Sequence, residues 1–183
     1  METPYIVALG IAAVACVTDL RTRKIPNVLT LLAALAAFFF YAVVGRGEGL
    51  LVSVAGWLAG AAVFFIPFAL GGLGGGDVKL LAAIGAWVGP AAVVWTALYT
   101  GIIGGGLAVV IGLSHGYLRK ALSNISLLLM HWRVAGFRPL PEVSLAGSRG
   151  PRLAYAVPIL AGLVVTIWRY SSAQAEAAWF LRP

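Results

Sequence analysis

The stretch LLVSVAGWLAGAAVFFIPFAL, residues 50–70, decides the class of this protein. It runs for 21 residues without a charge. At 1.5 Å per residue it matches a hydrocarbon core of roughly 30 Å. Similar runs lie on both sides of it, at residues 5–18, 28–44, 78–88, 91–113 and 153–167. The composition agrees: of 183 residues, 61% are hydrophobic and only 10% charged. A water-soluble domain of this size would have to expose much of that apolar surface. The reading is an all-α polytopic membrane protein with about six transmembrane helices. The weakest segment is 78–88, which would rise only about 17 Å. It is either a half-length helix buried among its neighbours or a helix continuing through Pro90 with a kink.

Charge sets the expected orientation. Thirteen Lys and Arg stand against six Asp and Glu, a net charge of +7. In a soluble chain this would suggest nucleic acid, but topology accounts for it, and no nucleic-acid partner is expected. With the Arg21-Thr22-Arg23-Lys24 turn in the cytoplasm, six alternating spans place ten basic residues inside and three outside (Arg46, Arg169, Arg182). That bias fits the positive-inside rule, and both termini then face outward. Residues 1–183 read as a single membrane-embedded domain. Its more polar stretch, 114–152, forms a cytoplasmic loop. Within that loop, residues 117–132 carry apolar positions at helical spacing and read as an amphipathic helix along the membrane surface.

The chain holds two aspartates, Asp19 and Asp77. In the expected topology both sit at cytoplasmic ends of membrane segments. Each has a plain structural explanation. Asp77 could cap its helix, and Asp19 could pair with the basic turn. Their joint placement favours chemistry, because carboxylates in such positions face the protein interior and work there. Two close carboxylates share one proton. The ionised one takes a proton from water, and the protonated one polarises a carbonyl. Neither step needs a metal or cofactor. The single cysteine, Cys16, and the distant His115 and His131 suggest no metal site. Gly71, Gly72, Gly74, Gly75 and Gly76 precede Asp77 and allow close approach of another chain. They do not form a phosphate loop, since Asp77-Val78-Lys79 follows where Gly-Lys-Ser/Thr would be needed.

Two linked motifs carry a family resemblance. Gly74-Gly75-Gly76-Asp77 fits the Gly-x-Gly-Asp pattern of membrane aspartyl proteases. Its extension through Val78-Lys79-Leu80-Leu81 resembles that of type IV prepilin peptidases. Asp19-Leu20-Arg21-Thr22-Arg23-Lys24-Ile25-Pro26-Asn27 resembles the other half of the same signature. The resemblance covers about residues 16–101, and Tyr155-Ala156-Val157-Pro158 is only loosely similar to the family's last span. It implies the Gly-x-Gly-Asp protease fold, Asp19 and Asp77 as the catalytic pair, and Gly74, Gly76 and Lys79 in support. Lys79 is expected to neutralise charge near the pair or to meet lipid phosphate. The implied substrate is a prepilin or pseudopilin, cut after a glycine at the cytoplasmic face of a bacterial inner membrane. The absence of a four-cysteine zinc region resembles the short form of tight-adherence (Flp-type) pilus systems, which implies peptidase activity without N-methyltransferase activity. An archaeal preflagellin-type peptidase shares this chemistry. Two alternatives of other classes are a small transporter or channel component coupling cations or protons through the aspartates, and an inactive assembly scaffold. Oligomeric state is not legible.

Overall fold

A computed structural model describes residues 3–114, 116, 123, 126, 127, 130, 133 and 153–180. The expected cytoplasmic loop and surface helix at 114–152 therefore lie largely outside the described residues. The rest is helical: α1 (Thr3–Thr22), α2 (Asn27–Val44), α3 (Arg46–Ala69), α4 (Gly75–Ser114) and α5 (Ala156–Phe180). Among the described residues, α1 to α4 are long and apolar enough to cross a membrane, and the apolar part of α5, Ala156–Ser172, is shorter. The polar break expected at residues 45–49 is narrower than its glycines suggest. Helix α3 already begins at Arg46, and Gly45 alone separates it from α2.

The side chains are distributed opposite to those of a soluble bundle. On α1 the buried stripe is Ala8, Ala12, Ala15 and Asp19, and on α2 it is Thr30, Ala33, Ala34 and Ala37. The large apolar residues point outward: Ile6, Val14, Leu31, Leu35 and Phe39 are all more than half exposed. In lipid, burying leucine gives no hydrophobic gain, so small residues go inside where helices can approach closely. This arrangement, with the span lengths, makes the chain a multi-pass membrane protein.

Helix α4 does not run straight. Gly89 interrupts it at φ 82° and ψ 171°, a positive φ that glycine adopts without steric cost. Pro90 then opens the second half in a first-turn position, where its missing N–H leaves nothing unpaired. The two halves fold back on each other. A Cβ on Gly85 would lie 3.1 Å from Val93 Cγ2, although a straight helix would hold these residues about 12 Å apart. The segments read from sequence at 78–88 and 91–113 are thus joined by a tight reversal. The first of them is the central helix of the bundle. Leu80 to Trp87 are buried without interruption, as expected for a half-length helix enclosed by its neighbours.

The reversal leaves carbonyls at the end of that central helix, and side chains from other helices satisfy them. Ser53 Oγ donates to the Ala86 carbonyl at 2.7 Å, and Tyr41 Oη donates to that of Trp87 at 2.8 Å. The Trp87 indole N–H in turn reaches the Ala33 carbonyl at 2.9 Å. Away from water, unpaired backbone groups would cost several kcal/mol each. Helix α3 crosses the central helix so closely that a Cβ on Gly56 would collide with the Gly85 carbonyl oxygen. In the second half of α4, Thr96 Oγ1 donates to Thr166 Oγ1 of α5 at 3.1 Å.

Candidate active site

The helix ends bring both aspartates to one end of the bundle. Asp19 continues the buried alanine stripe of α1, so its carboxylate turns inward rather than toward the basic turn; only 7% of it is exposed. Its Oδ2 accepts the backbone N–H of Ala156 at 3.2 Å, across 137 positions of sequence. Ala156 is the first residue of α5. The N–H groups of a first helical turn have no partner in their own helix and carry a partial positive charge. The start of α5 is therefore a natural counterpart for the Asp19 carboxylate.

Asp77 lies in the first turn of α4 and is 9% exposed. Its Oδ2 accepts the Gly74 N–H at 3.1 Å, while its own N–H bonds the Gly74 carbonyl at 3.1 Å. This is one half of a capping box, with aspartate in the reaching-back position. The helix-cap explanation offered by the sequence therefore holds for one oxygen of Asp77. It does not exclude a second role, because the carboxylate also lies within electrostatic reach of Asp19. A side chain at Gly74 would press on this bond, since its Cβ would sit 3.0 Å from Asp77 Oδ2.

Two contacts join the motifs. A Cβ on Gly76 would meet the Ile25 side chain at 3.2 Å, so glycine lets the Ile25-Pro26-Asn27 segment pack directly against the start of α4. Lys79 Nζ donates to Asn27 Oδ1 at 3.0 Å. Lys79 was expected to work near the carboxylates or at lipid phosphate. Its observed partner is the asparagine of the first motif. Residues two apart on an α-helix project about 200° apart, so Lys79 leaves α4 on the side away from Asp77. There it forms, with Asn27, the polar end of an open groove of about 460 Å³, whose walls include Leu31, Ala34, Trp57 and Ala82. This groove lies across the helix from Asp77, and neither aspartate lines it.

The second half of α4 and the start of α5 complete the enclosure. Tyr155 packs edge-on against Phe64 at a centroid distance of 6.0 Å and lies over Gly104, whose Cβ would be 3.0 Å from the phenol oxygen. Asp77 and Gly104 would be about 40 Å apart in a straight helix. The reversal at Gly89 brings Gly104 back against the Tyr155 ring, toward the end of the bundle where Asp77 begins α4.

Tyr155 and the Ala156 N–H carried no site assignment from the sequence. The only signal was the loose similarity of Tyr155-Ala156-Val157-Pro158, and a backbone donor leaves no trace in residue identity. Asn27 and Ile25 were legible as parts of a motif, but their contacts were not. Among the described residues, no three His, Cys, Asp or Glu side chains gather into a group able to hold a metal ion.

No curated protein and no solved structure matches the chain. A family model does, over residues 6–109. That stretch contains both aspartates, the glycines before Asp77 and the Lys79–Asn27 bond, and it ends before Tyr155. The two motifs joined in space at one end of the bundle are thus the part of the molecule that the match covers, and the chain belongs to the type IV leader peptidase family.

Proposed function

We propose that this protein is an aspartyl endopeptidase that removes the basic leader of prepilins or pseudopilins, with Asp19 and Asp77 as its catalytic pair. The observation that carries this reading is the convergence of the chain's two aspartates, both buried and within electrostatic reach of each other, from two motifs inside the family-matched stretch. The pair holds one proton between them. The ionised carboxylate accepts a proton from water as the water oxygen attacks the scissile carbonyl. The protonated carboxyl donates to the carbonyl oxygen as negative charge develops there. Proton transfer to the leaving amine then breaks the C–N bond. No covalent bond to the enzyme forms. Gly74 and Gly76 support the pair by admitting the Asp77 carboxylate and the Ile25 side chain into close contact.

The chain crosses a bacterial inner membrane six times, with α4 passing twice about Gly89 and the aspartate end in the cytoplasm. Charge placement supports this. The aspartate end carries Arg21, Arg23, Lys24 and Lys79. The opposite end carries Arg169, held 3.7 Å over the Trp95 ring and bonded to Tyr99 Oη at 3.2 Å, an arrangement suited to the aromatic belt of the outer interface. Cleavage after a glycine, just ahead of the substrate's hydrophobic helix, suits a pair located at a membrane face. The proposed activity is peptidase alone, as the resemblance to the short form implies.

Incubating the purified enzyme with candidate small pilins and sequencing the new amino terminus tests the reading. We expect one new terminus, immediately after a glycine that precedes the hydrophobic segment. No cleavage of any prepilin, or cleavage within the mature domain, would overturn it.

A further inference from the structure

We propose that the Tyr155 phenol is a third working group of this site, donating a hydrogen bond to the carbonyl oxygen of the scissile peptide. The inference rests on the aspartyl peptidase reading above and adds a residue beyond the family-matched stretch, which ends at residue 109. Three observations carry it. The first is position: Tyr155 immediately precedes Ala156, whose N–H holds the Asp19 carboxylate at 3.2 Å, and its ring feels the charge of Asp77. One short segment at the start of α5 thus addresses both aspartates.

The second observation is that the ring and its hydroxyl are held in place by close packing. The ring meets Phe64 edge-on and lies against Gly104, with Gly104's absent Cβ position 3.0 Å from the hydroxyl and 3.2 Å from Cε2 and Cζ. A side chain at position 104 would occupy the space the ring uses. Among the described residues the hydroxyl makes no hydrogen bond, and it is not sealed in the interior, because no fully buried side-chain oxygen among them lacks a partner. A half-buried phenol next to the residue that holds Asp19, unbonded among the described residues and not sealed in, has a donor to offer an incoming carbonyl.

The third observation concerns chemistry. A phenol has an ordinary pKa of about 10, so at neutral pH Tyr155 is a donor. A carboxyl pair supplies one acidic proton toward the carbonyl oxygen. A second fixed donor shares the charge that appears on that oxygen in the tetrahedral state, and a preorganised donor stabilises that state more than the planar carbonyl. Tyr155 gives up no proton and forms no covalent bond. It holds the oxygen while the aspartates exchange protons with water and the leaving amine.

The test is steady-state cleavage of a prepilin by Tyr155→Phe, Tyr155→Leu and Gly104→Ala, with Asp19→Asn and Asp77→Asn alongside. Tyr155→Phe keeps the ring on Phe64 and Gly104 and removes only the hydroxyl. Loss of one oxyanion donor should lower kcat by about 100-fold with KM nearly unchanged. If the residue only packs, the phenylalanine variant keeps full kcat and the leucine variant alone loses it. Gly104→Ala pushes on the ring from the far side, so it should lower kcat in the tyrosine enzyme and add little to Tyr155→Phe. It serves as a second probe whatever the stability of the Tyr155 variants. A kcat for Tyr155→Phe within about tenfold of wild type, or a loss expressed through KM alone, would overturn the inference. If both asparagine variants are inactive while Tyr155→Phe is normal, only this inference fails. If either asparagine variant cleaves, the aspartyl reading beneath it fails.

Discussion

Alanine at Gly56 should weaken the fold at the crossing that positions Asp77. A Cβ there would overlap the Gly85 carbonyl oxygen, approach the Gly85 carbonyl carbon to 2.8 Å and reach Gly89 at 3.0 Å. All three are backbone atoms, so no side chain can swing aside. Carbon atoms are comfortable at about 3.5–4.0 Å, so α3 and the central helix must part by roughly an ångström or more. Overpacking of this kind costs about 1–3 kcal/mol. The same displacement stretches the Ser53–Ala86 bond one turn away, buried and 2.7 Å long, at a further cost of about 1 kcal/mol. The expected loss is about 2–4 kcal/mol, a factor of roughly 30 to 700 in the folding equilibrium at 1.4 kcal/mol per decade. Gly10→Ala is the matched control. It lies in α1 with nothing within 4 Å of its would-be Cβ and should be neutral or slightly stabilising. Reversible unfolding of both variants in mixed detergent micelles measures the difference. Equal stability of the two, within about 0.5 kcal/mol, would refute the close-crossing argument.

Trp87→Phe removes the indole N–H that reaches the Ala33 carbonyl, and the same unfolding assay should show a loss of about 1–3 kcal/mol. Lys79→Met and Asn27→Ala should be non-additive in cleavage, since each removes the same bond between the motifs; fully additive effects would show that the bond does not couple them. Cleavage should persist in chelator, because a carboxyl pair activates water unaided; loss restored by one specific divalent ion would contradict the mechanism. In a Cys16→Ser background, Lys24→Cys should react with an impermeant thiol reagent only from the cytoplasmic side and Gly47→Cys only from the outside. Labelling of both from one side would refute the proposed topology.

Much of this molecule was legible because membrane helices must satisfy their own backbone and because glycine and proline interrupt them in few ways. Residues 89–90 read as a break, and the structure makes them a reversal with Gly89 at positive φ. Whether the chain turned back or merely kinked was not legible, since that depends on Gly85 accepting Val93 at close range. The aspartates were legible as a pair because the chain has no others and each sits in a motif. Their individual partners were not. Asp19 turns to a backbone N–H 137 positions away, and residue type does not encode such a contact. The partner of Lys79 was not legible for a related reason. A lysine two residues after a carboxylate suggests charge compensation, but helical geometry sends it to the opposite side, where Asn27 receives it. The glycines before Asp77 read as sites of close approach. Gly71 alone among them takes positive φ, at 79°, whereas Gly74 and Gly76 serve close packing.

The central claim is that Asp19 and Asp77 act together in proteolysis. Asp19→Asn, Asp77→Asn and the double variant keep side-chain size and most hydrogen bonding while removing the ionisable proton. Co-expression of each with a prepilin, with leader removal scored against enzyme abundance in the same membranes, measures their effect. Each single variant should lose most cleavage while remaining inserted, and the double variant should be little worse, because groups that act as a unit are not additive. Near-normal leader removal by either single variant would contradict the two-aspartate account.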